Sequence, residues 1–182
     1  MRKADRLTVA AAFLLTAAVS MADGGGGIMG GMEHYDSKYS SADLGTSLIG
    51  GYGYGTSEDG ERTGGFGLAM FGMKDSPGMA GGFGGLLLGS EANLGPLQLA
   101  LDLLLGVGGV WQHEADDDGT GGGMMAAYGE IDLSLGIRLT RWMRLAAYAG
   151  FQGFGNLFPG EPFRSLLYYA PVIGVRVAWG SF

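Results

Sequence analysis

Polar side chains recur at even-numbered positions in the second half of the chain. Their odd-numbered neighbours are mostly aliphatic. Carboxylate and guanidinium groups that are removed from water need partners of opposite charge. Three acids and three arginines balance in this set, so ion pairing is the chemistry that it best supports. The expected members of an internal polar network are Gln98, Asp102, Glu130, Asp132, Arg138, Arg144, Gln152 and Arg176.

Metal binding has one candidate segment, the acidic stretch EADDDG at residues 114–119. Clustered carboxylates can bind Ca²⁺, but this stretch lacks the spaced acidic positions of an EF-hand loop. A solvated acidic loop is the favoured interpretation. We therefore expect no metal site and no cofactor.

The segment LQLALDLLLGVGGVW at residues 97–111 decides between a helix and a strand. Large apolar residues occupy each odd position from Leu97 to Val107, and most even positions between them are small or polar. A two-residue period predicts a strand with two different environments. A lone membrane helix would instead place Asp102 among lipid tails, which is costly.

The same alternation recurs in residues 130–139, 144–152 and 167–180. A soluble antiparallel sheet also alternates, but its polar face should be rich in Lys, Glu and Thr. Here the second face is mostly Gly, Ala and Ser with a few charges, which suits a narrow interior. Each segment has the roughly 9–11 residues of a tilted membrane strand. Because only helices and closed barrels satisfy the backbone in lipid, the pattern predicts an all-β, antiparallel transmembrane β-barrel.

Eight strands give the even number that is usual in bacterial single-chain barrels. The predicted strands are 27–35, 47–55, 64–73, 81–89, 97–111, 124–139, 143–155 and 165–181, of which the first alternates poorly. Longer loops at 36–43, 74–80, 112–123 and 156–164 then lie at one end, and tight turns lie at the other. Aromatic residues are expected where strands leave the bilayer. The predicted interfacial set is Trp111, Tyr128, Trp142, Phe151 and Trp179.

The N-terminus has the features of a secretory signal. Basic residues precede an apolar run from Leu7 to Val19, and small residues at Ser20 and Ala22 suit cleavage after Ala22. We expect residues 1–22 to be removed and residues 23–182 to form one barrel domain. That domain would carry 8 basic and 17 acidic residues, a net charge of −9, which disfavours nucleic acid as a partner. The absence of cysteine excludes disulfides and a lipid-bearing cysteine.

The final strand, IGVRVAWGSF, together with the signal and the Gly- and aromatic-rich body, resembles small Gram-negative outer-membrane barrels of the OmpA/OmpX/OmpW type. The resemblance implies outer-membrane lipids and the barrel-assembly machinery as partners. It also implies a C-terminal assembly signal formed by Gly174, Val177, Trp179 and Phe182. Pro171 departs from this pattern because proline donates no ladder hydrogen bond, so a bulge or a strand start is expected there.

Some barrels of this size modify lipid A with a histidine, a serine and an acid. His34, Asp75 and Ser76 could form such a set near the outer rim, but no local motif supports it, and the other histidine, His113, belongs to no set. We expect no enzymatic activity. An eight-stranded barrel is just wide enough for side chains to fill it, so a plugged lumen is favoured over a narrow channel.

These observations predict a small outer-membrane barrel with a structural or surface-interaction role. A second hypothesis is a secreted Gly-rich β-protein that self-assembles into fibres or tubes and buries its apolar face between subunits. Assembly of the barrel into a homo-oligomer stays open.

Overall fold

The computed structural model describes residues 24–35, 44–72, 78–113, 122–158 and 167–181. They form eight strands: β1 (Gly24–Tyr35), β2 (Leu44–Thr56), β3 (Glu61–Gly72), β4 (Gly78–Leu94), β5 (Leu97–His113), β6 (Gly122–Thr140), β7 (Met143–Asn156) and β8 (Leu167–Gly180). Each strand pairs antiparallel with the next, and β1 pairs with β8. The predicted all-β, eight-stranded closed barrel is therefore confirmed. Within the described ranges, no helix is long and apolar enough to cross a membrane.

The first strand forms although its sequence, GGGGIMGGMEHY, offers few side chains. Its backbone pairs with β2 from Gly24 to Tyr35 and with β8 from Gly25 to Glu33. The backbones approach so closely that a Cβ atom at Gly27 would overlap the carbonyl oxygen of Val177. Glycine therefore permits the contact that closes the barrel, which explains why an alternation of side chains is a weak signal for this strand.

Three tight turns join strands at the short-turn end of the barrel. Residues 57–60, 95–96 and 141–142 form them, and Gly60 and Gly95 adopt positive φ values of 82° and 68°. Two predicted connections were too long, because β3 already begins at Glu61 and β4 continues to Leu94. The segment between the predicted strands 81–89 and 97–111 is SEANLGP, and its polar residues suggested a loop. Most of them instead belong to β4, which pairs with β5 as far as the turn.

The other end, the long-connection end, carries the connections 36–43, 73–77, 114–121 and 157–166. Two of the predicted loops, 74–80 and 112–123, were too long. β4 already begins at Gly78, β5 continues to His113, and β6 begins at Gly122. Backbone pairing between β4 and β5 reaches Gly78 and His113, so the ladder continues beyond the apolar alternation.

Pro171 causes no bulge and does not start the strand, contrary to the prediction. β8 begins at Leu167, and its register with β7 is continuous from Leu167 to Trp179. The ladder between β1 and β8 reaches Val172, one residue short of Pro171. The proline therefore stands just beyond this ladder, where no hydrogen bond to β1 is required of it.

Alternate side chains point into and out of the barrel along every strand. Even-numbered residues face inward on β2, β3 and β5–β8, and odd-numbered residues face inward on β1 and β4, as the buried positions show. The sequence pattern placed even-numbered residues inward in four segments, and the structure agrees: 97–107, 130–139, 144–152 and 167–180. Leucines 99, 101, 103 and 105 are all exposed outward, whereas Asp102 is 1% exposed.

Inward side chains divide the lumen into two halves. The apolar half, toward the long-connection end, is packed with aromatic and aliphatic groups, and the ring centroids of Phe83 and Tyr128 lie 4.8 Å apart. The polar half, toward the short-turn end, contains the charged groups described below. Members of the apolar half are Met29, Leu48, Phe66, Leu68, Met70, Phe83, Leu87, Leu104, Val110, Ala126, Phe154, Ala170 and Val172.

Candidate functional site: the charged lumen

The centre of the polar half is the guanidinium group of Arg176, which projects from β8. Its Nη1 donates to Asp102 Oδ2 at 2.8 Å, and its Nη2 donates to Asp132 Oδ2 at 2.6 Å. Asp102 and Asp132 are paired directly across β5 and β6. Like charges at facing positions repel each other, so the cation between them is what makes this register acceptable. All three side chains are at most 3% exposed.

A second arginine in the network, Arg62 on β3, was missed by the sequence analysis. Its Nη1 lies 2.9 Å from Asp102, and its guanidinium carbon lies 3.8 Å from the centre of the Tyr54 ring. The predicted strands 47–55 and 64–73 leave Arg62 in the connection between them, TSEDGERT at residues 56–63. Its even number could have indicated its inward position, because Phe66 and Leu68, at other even positions of the same strand, are also buried.

Glu91 on β4 was also missed, because it too had been assigned to a connection. It joins the network through Arg62 and Arg144. Arg144 Nη1 lies 3.8 Å from Glu91 Oε2, and Arg62 Nε lies 3.6 Å from the same oxygen. Gln98 donates a hydrogen bond to Glu91, and Arg144 Nη2 donates to Asn93 Oδ1 at 3.2 Å. Among the side chains that the structure describes, the inward charges number four carboxylates and four arginines, of which Arg138 is only partly buried.

Tyr128 lies in the lumen and not at the membrane interface, which corrects the prediction. Its hydroxyl donates to Glu130 and lies 2.8 Å from Gln152 Oε1, and the residue is 4% exposed. Residue 128 shares the even parity of the inward residue 130. The parity rule should therefore have taken precedence over the general preference of tyrosine for interfaces. Tyr128 lies at the boundary between the two halves, because its ring also packs on Phe66 and Phe83.

Tyrosine rings cover the arginine cations on the sides that carboxylates leave open. The Arg176 guanidinium carbon lies 4.4 Å from the centre of the Tyr148 ring and 5.5 Å from that of Tyr52. Cation–π contacts of this kind are stronger where water is excluded. Two glycines make room for Tyr148: a Cβ atom at Gly31 would lie 2.6 Å from the tyrosine oxygen, and one at Gly174 would lie 2.6 Å from the ring carbon Cζ.

The other predicted residues lie as follows. Arg138 is partly exposed, and the ion pairs described for Asp102 are to Arg62 and Arg176. Gly174 faces inward against Tyr148, Val177 is half-buried, and Phe182 lies outside the described residues. Four predicted interfacial aromatics are exposed: Trp111, Phe151 and Trp179 on the outer face of strands, and Trp142 in the turn between β6 and β7.

The alternative catalytic and metal-binding residues lie largely outside the described structure. This applies to Asp75, Ser76, the acidic stretch 114–119 and the side chains of His34 and His113. Across the strands and turns that are described, no group of three or more His, Cys, Asp or Glu side chains is arranged to hold a metal ion. The lumen site therefore offers ion pairing and hydrogen bonding as its chemistry.

A search of solved structures identifies Neisserial surface protein A (NspA) as similar in fold. The two chains superpose with a TM-score of 0.63 at 12% sequence identity, over 88% of this chain and 98% of that one. No protein-family model matches the sequence. No curated protein matches it either. The likeness thus concerns the fold.

Proposed function

We propose that this protein is a small integral β-barrel of the bacterial outer membrane, without catalytic activity, that acts in membrane architecture or surface contact. The observation that carries the proposal is the continuous apolar outer face. A soluble monomer rarely exposes so large an apolar patch. Large aliphatic residues more than one third exposed on this face include Ile28, Ile49, Leu86, Leu99, Leu101, Leu103, Leu105, Val107, Ile131, Leu133, Leu135, Ile137, Leu145, Ile173 and Val175.

Exposed aromatic rings lie near both ends of this apolar face and support a transmembrane orientation. Trp142 and Trp179 are at the short-turn end, and Trp111 is near the long-connection end. Outer-membrane barrels turn short connections to the periplasm and long ones to the outside. The four connections 36–43, 73–77, 114–121 and 157–166 are then the parts that contact other molecules at the cell surface. NspA, which has the same fold, is described as a surface protein.

Outer-membrane lipids and the barrel-assembly machinery are the partners that this proposal requires. The machinery would recognise the final strand, with Gly174, Val177, Trp179 and Phe182 as its signal. Nucleic acid and cofactors have no part in the proposal. The secreted self-assembling protein is the competing candidate, because it would bury the same apolar face against other copies.

Fractionation tests the two candidates directly. Expressed in a Gram-negative host, the full chain is expected in the outer-membrane fraction and soluble only in detergent. It should also migrate differently on a gel before and after boiling, since a closed barrel resists the detergent until it is heated. Recovery from the medium as fibres or tubes without detergent would contradict the proposal.

Side chains fill both halves of the lumen, so we expect a barrel that does not conduct ions. We expect no step conductance from the purified protein in planar bilayers, and none from Arg144→Ala. Arg144 belongs to the polar half, and removal of its side chain leaves the apolar half intact. Gel mobility before boiling should show that the variant is folded. If Arg144→Ala showed step conductance and the wild-type protein did not, the charged network alone would be the barrier to ions. That result would support the narrow-channel alternative.

A further inference from the structure

The polar half contains a small cavity that the charge network does not fill. Its volume is about 10 Å³, which is enough for one particle of about the size of a water molecule. Three arginines and two tyrosines contribute to its wall. The full lining comprises Tyr52, Tyr54, Arg62, Gln98, Ser134, Arg144, Ala146, Arg176 and Ala178.

Two buried donors among the lining residues have no hydrogen-bond acceptor within the described strands and turns. They are Arg176 Nε and Arg62 Nε. The two side chains are only 3% and 4% exposed, so bulk water does not supply the acceptor. The nearest carboxylate oxygen to Arg62 Nε is Glu91 Oε2 at 3.6 Å, beyond hydrogen-bond distance. Buried N–H groups almost always have a partner, so an acceptor from outside the chain is expected here.

The distribution of charge around the cavity favours a negatively charged acceptor. The lining contains three guanidinium groups and no carboxylate. Asp102 and Asp132 bind the Nη atoms of Arg62 and Arg176. Glu91 is close enough to Arg62 Nε for an ion pair but not for a hydrogen bond, so each Nε–H can still donate to a further acceptor. An anion that accepts several N–H bonds at once satisfies both edges, and hydrogen bonds between ions are stronger than those between neutral groups.

We propose that this cavity binds one small monovalent anion of about the size of chloride, held by Arg62 Nε and Arg176 Nε. A cavity of this volume favours a single-atom anion over phosphate or a carboxylate ligand. Ala146 and Ala178 contribute small apolar side chains to the wall. The anion would complete the hydrogen bonding of the network and add to the stability of the folded barrel.

Bromide tests the proposal because it can replace chloride and scatters X-rays anomalously. Crystals of the detergent-solubilised protein grown in bromide should show one anomalous peak within hydrogen-bond distance of both Nε atoms. The variant Ala178→Val reduces the cavity without changing any charge, and its crystals should lack that peak. An ordered water without a bromide signal would overturn the proposal, as would a peak that persists unchanged in Ala178→Val.

A solution measurement covers the case in which crystals of the variant do not form. For the wild-type protein in lipid vesicles, the urea midpoint of unfolding should rise when chloride replaces gluconate at equal ionic strength. In Ala178→Val this shift should be lost. Equal shifts in the two proteins would show that chloride acts elsewhere and would contradict the site.

Discussion

Replacement of Arg176 by methionine is expected to lower the free energy of unfolding by about 3–5 kcal/mol. Methionine retains much of the side-chain length but removes the cation that lies between Asp102 and Asp132. Asp102 keeps its ion pair with Arg62 at 2.9 Å, whereas Asp132 loses its 2.6 Å partner. Two facing carboxylates then remain buried with insufficient positive charge. A buried charge without its partner is among the most destabilising changes in proteins.

The measurement is reversible unfolding in urea of the protein refolded into lipid vesicles. Arg138→Met is the matched control, because Arg138 is partly exposed near the short-turn end, and its loss should cost under about 1 kcal/mol. The double variant Arg176→Met with Asp132→Asn should recover part of the loss, because the two residues are in direct contact and asparagine carries no charge. Equal effects of Arg176→Met and Arg138→Met would show that the network does not stabilise the barrel.

Replacement of Gly174 by alanine is expected to destabilise the barrel by about 1–3 kcal/mol, the cost of overpacking a filled interior. The new Cβ atom would overlap the carbonyl oxygen of Gly30 and lie 2.6 Å from Cζ of Tyr148. One of these contacts is with backbone, so a side-chain rotation cannot relieve both. Movement of Tyr148 would also disturb its stacking on Arg176.

Gly82→Ala is the matched control for this prediction. It is the same substitution in a strand of the same barrel, but its Cβ atom would come no closer than 3.6 Å to any heavy atom other than those of its chain neighbours. Loss of glycine flexibility should then make it neutral or stabilising by up to about 1 kcal/mol. Refolding of both purified variants into lipid vesicles, without assembly machinery, separates packing from recognition of the C-terminal signal. Equal stability of the two variants would leave Gly174 without a packing role.

The alternation of residue types was sufficient to predict most of the barrel. Residues 97–107 show why: a strand with a two-residue period must place Leu101 and Asp102 on opposite faces, whatever its neighbours are. The last strands were predicted in the same way and agree with the structure. Strand ends were harder to predict. Ser90–Leu94 and Glu61–Thr63 have loop-like compositions but continue the ladders, because backbone pairing does not require apolar side chains.

The errors at strand ends carried over to the charged site. Arg62 and Glu91 were left out because their segments had been assigned to connections, so the network was short of one cation and one anion. Tyr128 was assigned to the interface by residue type, although its parity placed it inside. In each case the inward position on an extended strand was the correct signal.

The sequence by itself determined which side chains face the lumen, how many strands close the barrel and that the outer face is apolar, because these properties follow from a period of two along each strand. Only the tertiary structure decided which charges meet. Arg62, Asp102 and Arg176 come from β3, β5 and β8, which are not neighbours in the sheet. Their contacts therefore depend on the closure and stagger of the whole barrel and on glycines that leave room for Tyr148. The periodicity of a single strand contains none of this information, because it describes faces and not distances across the lumen.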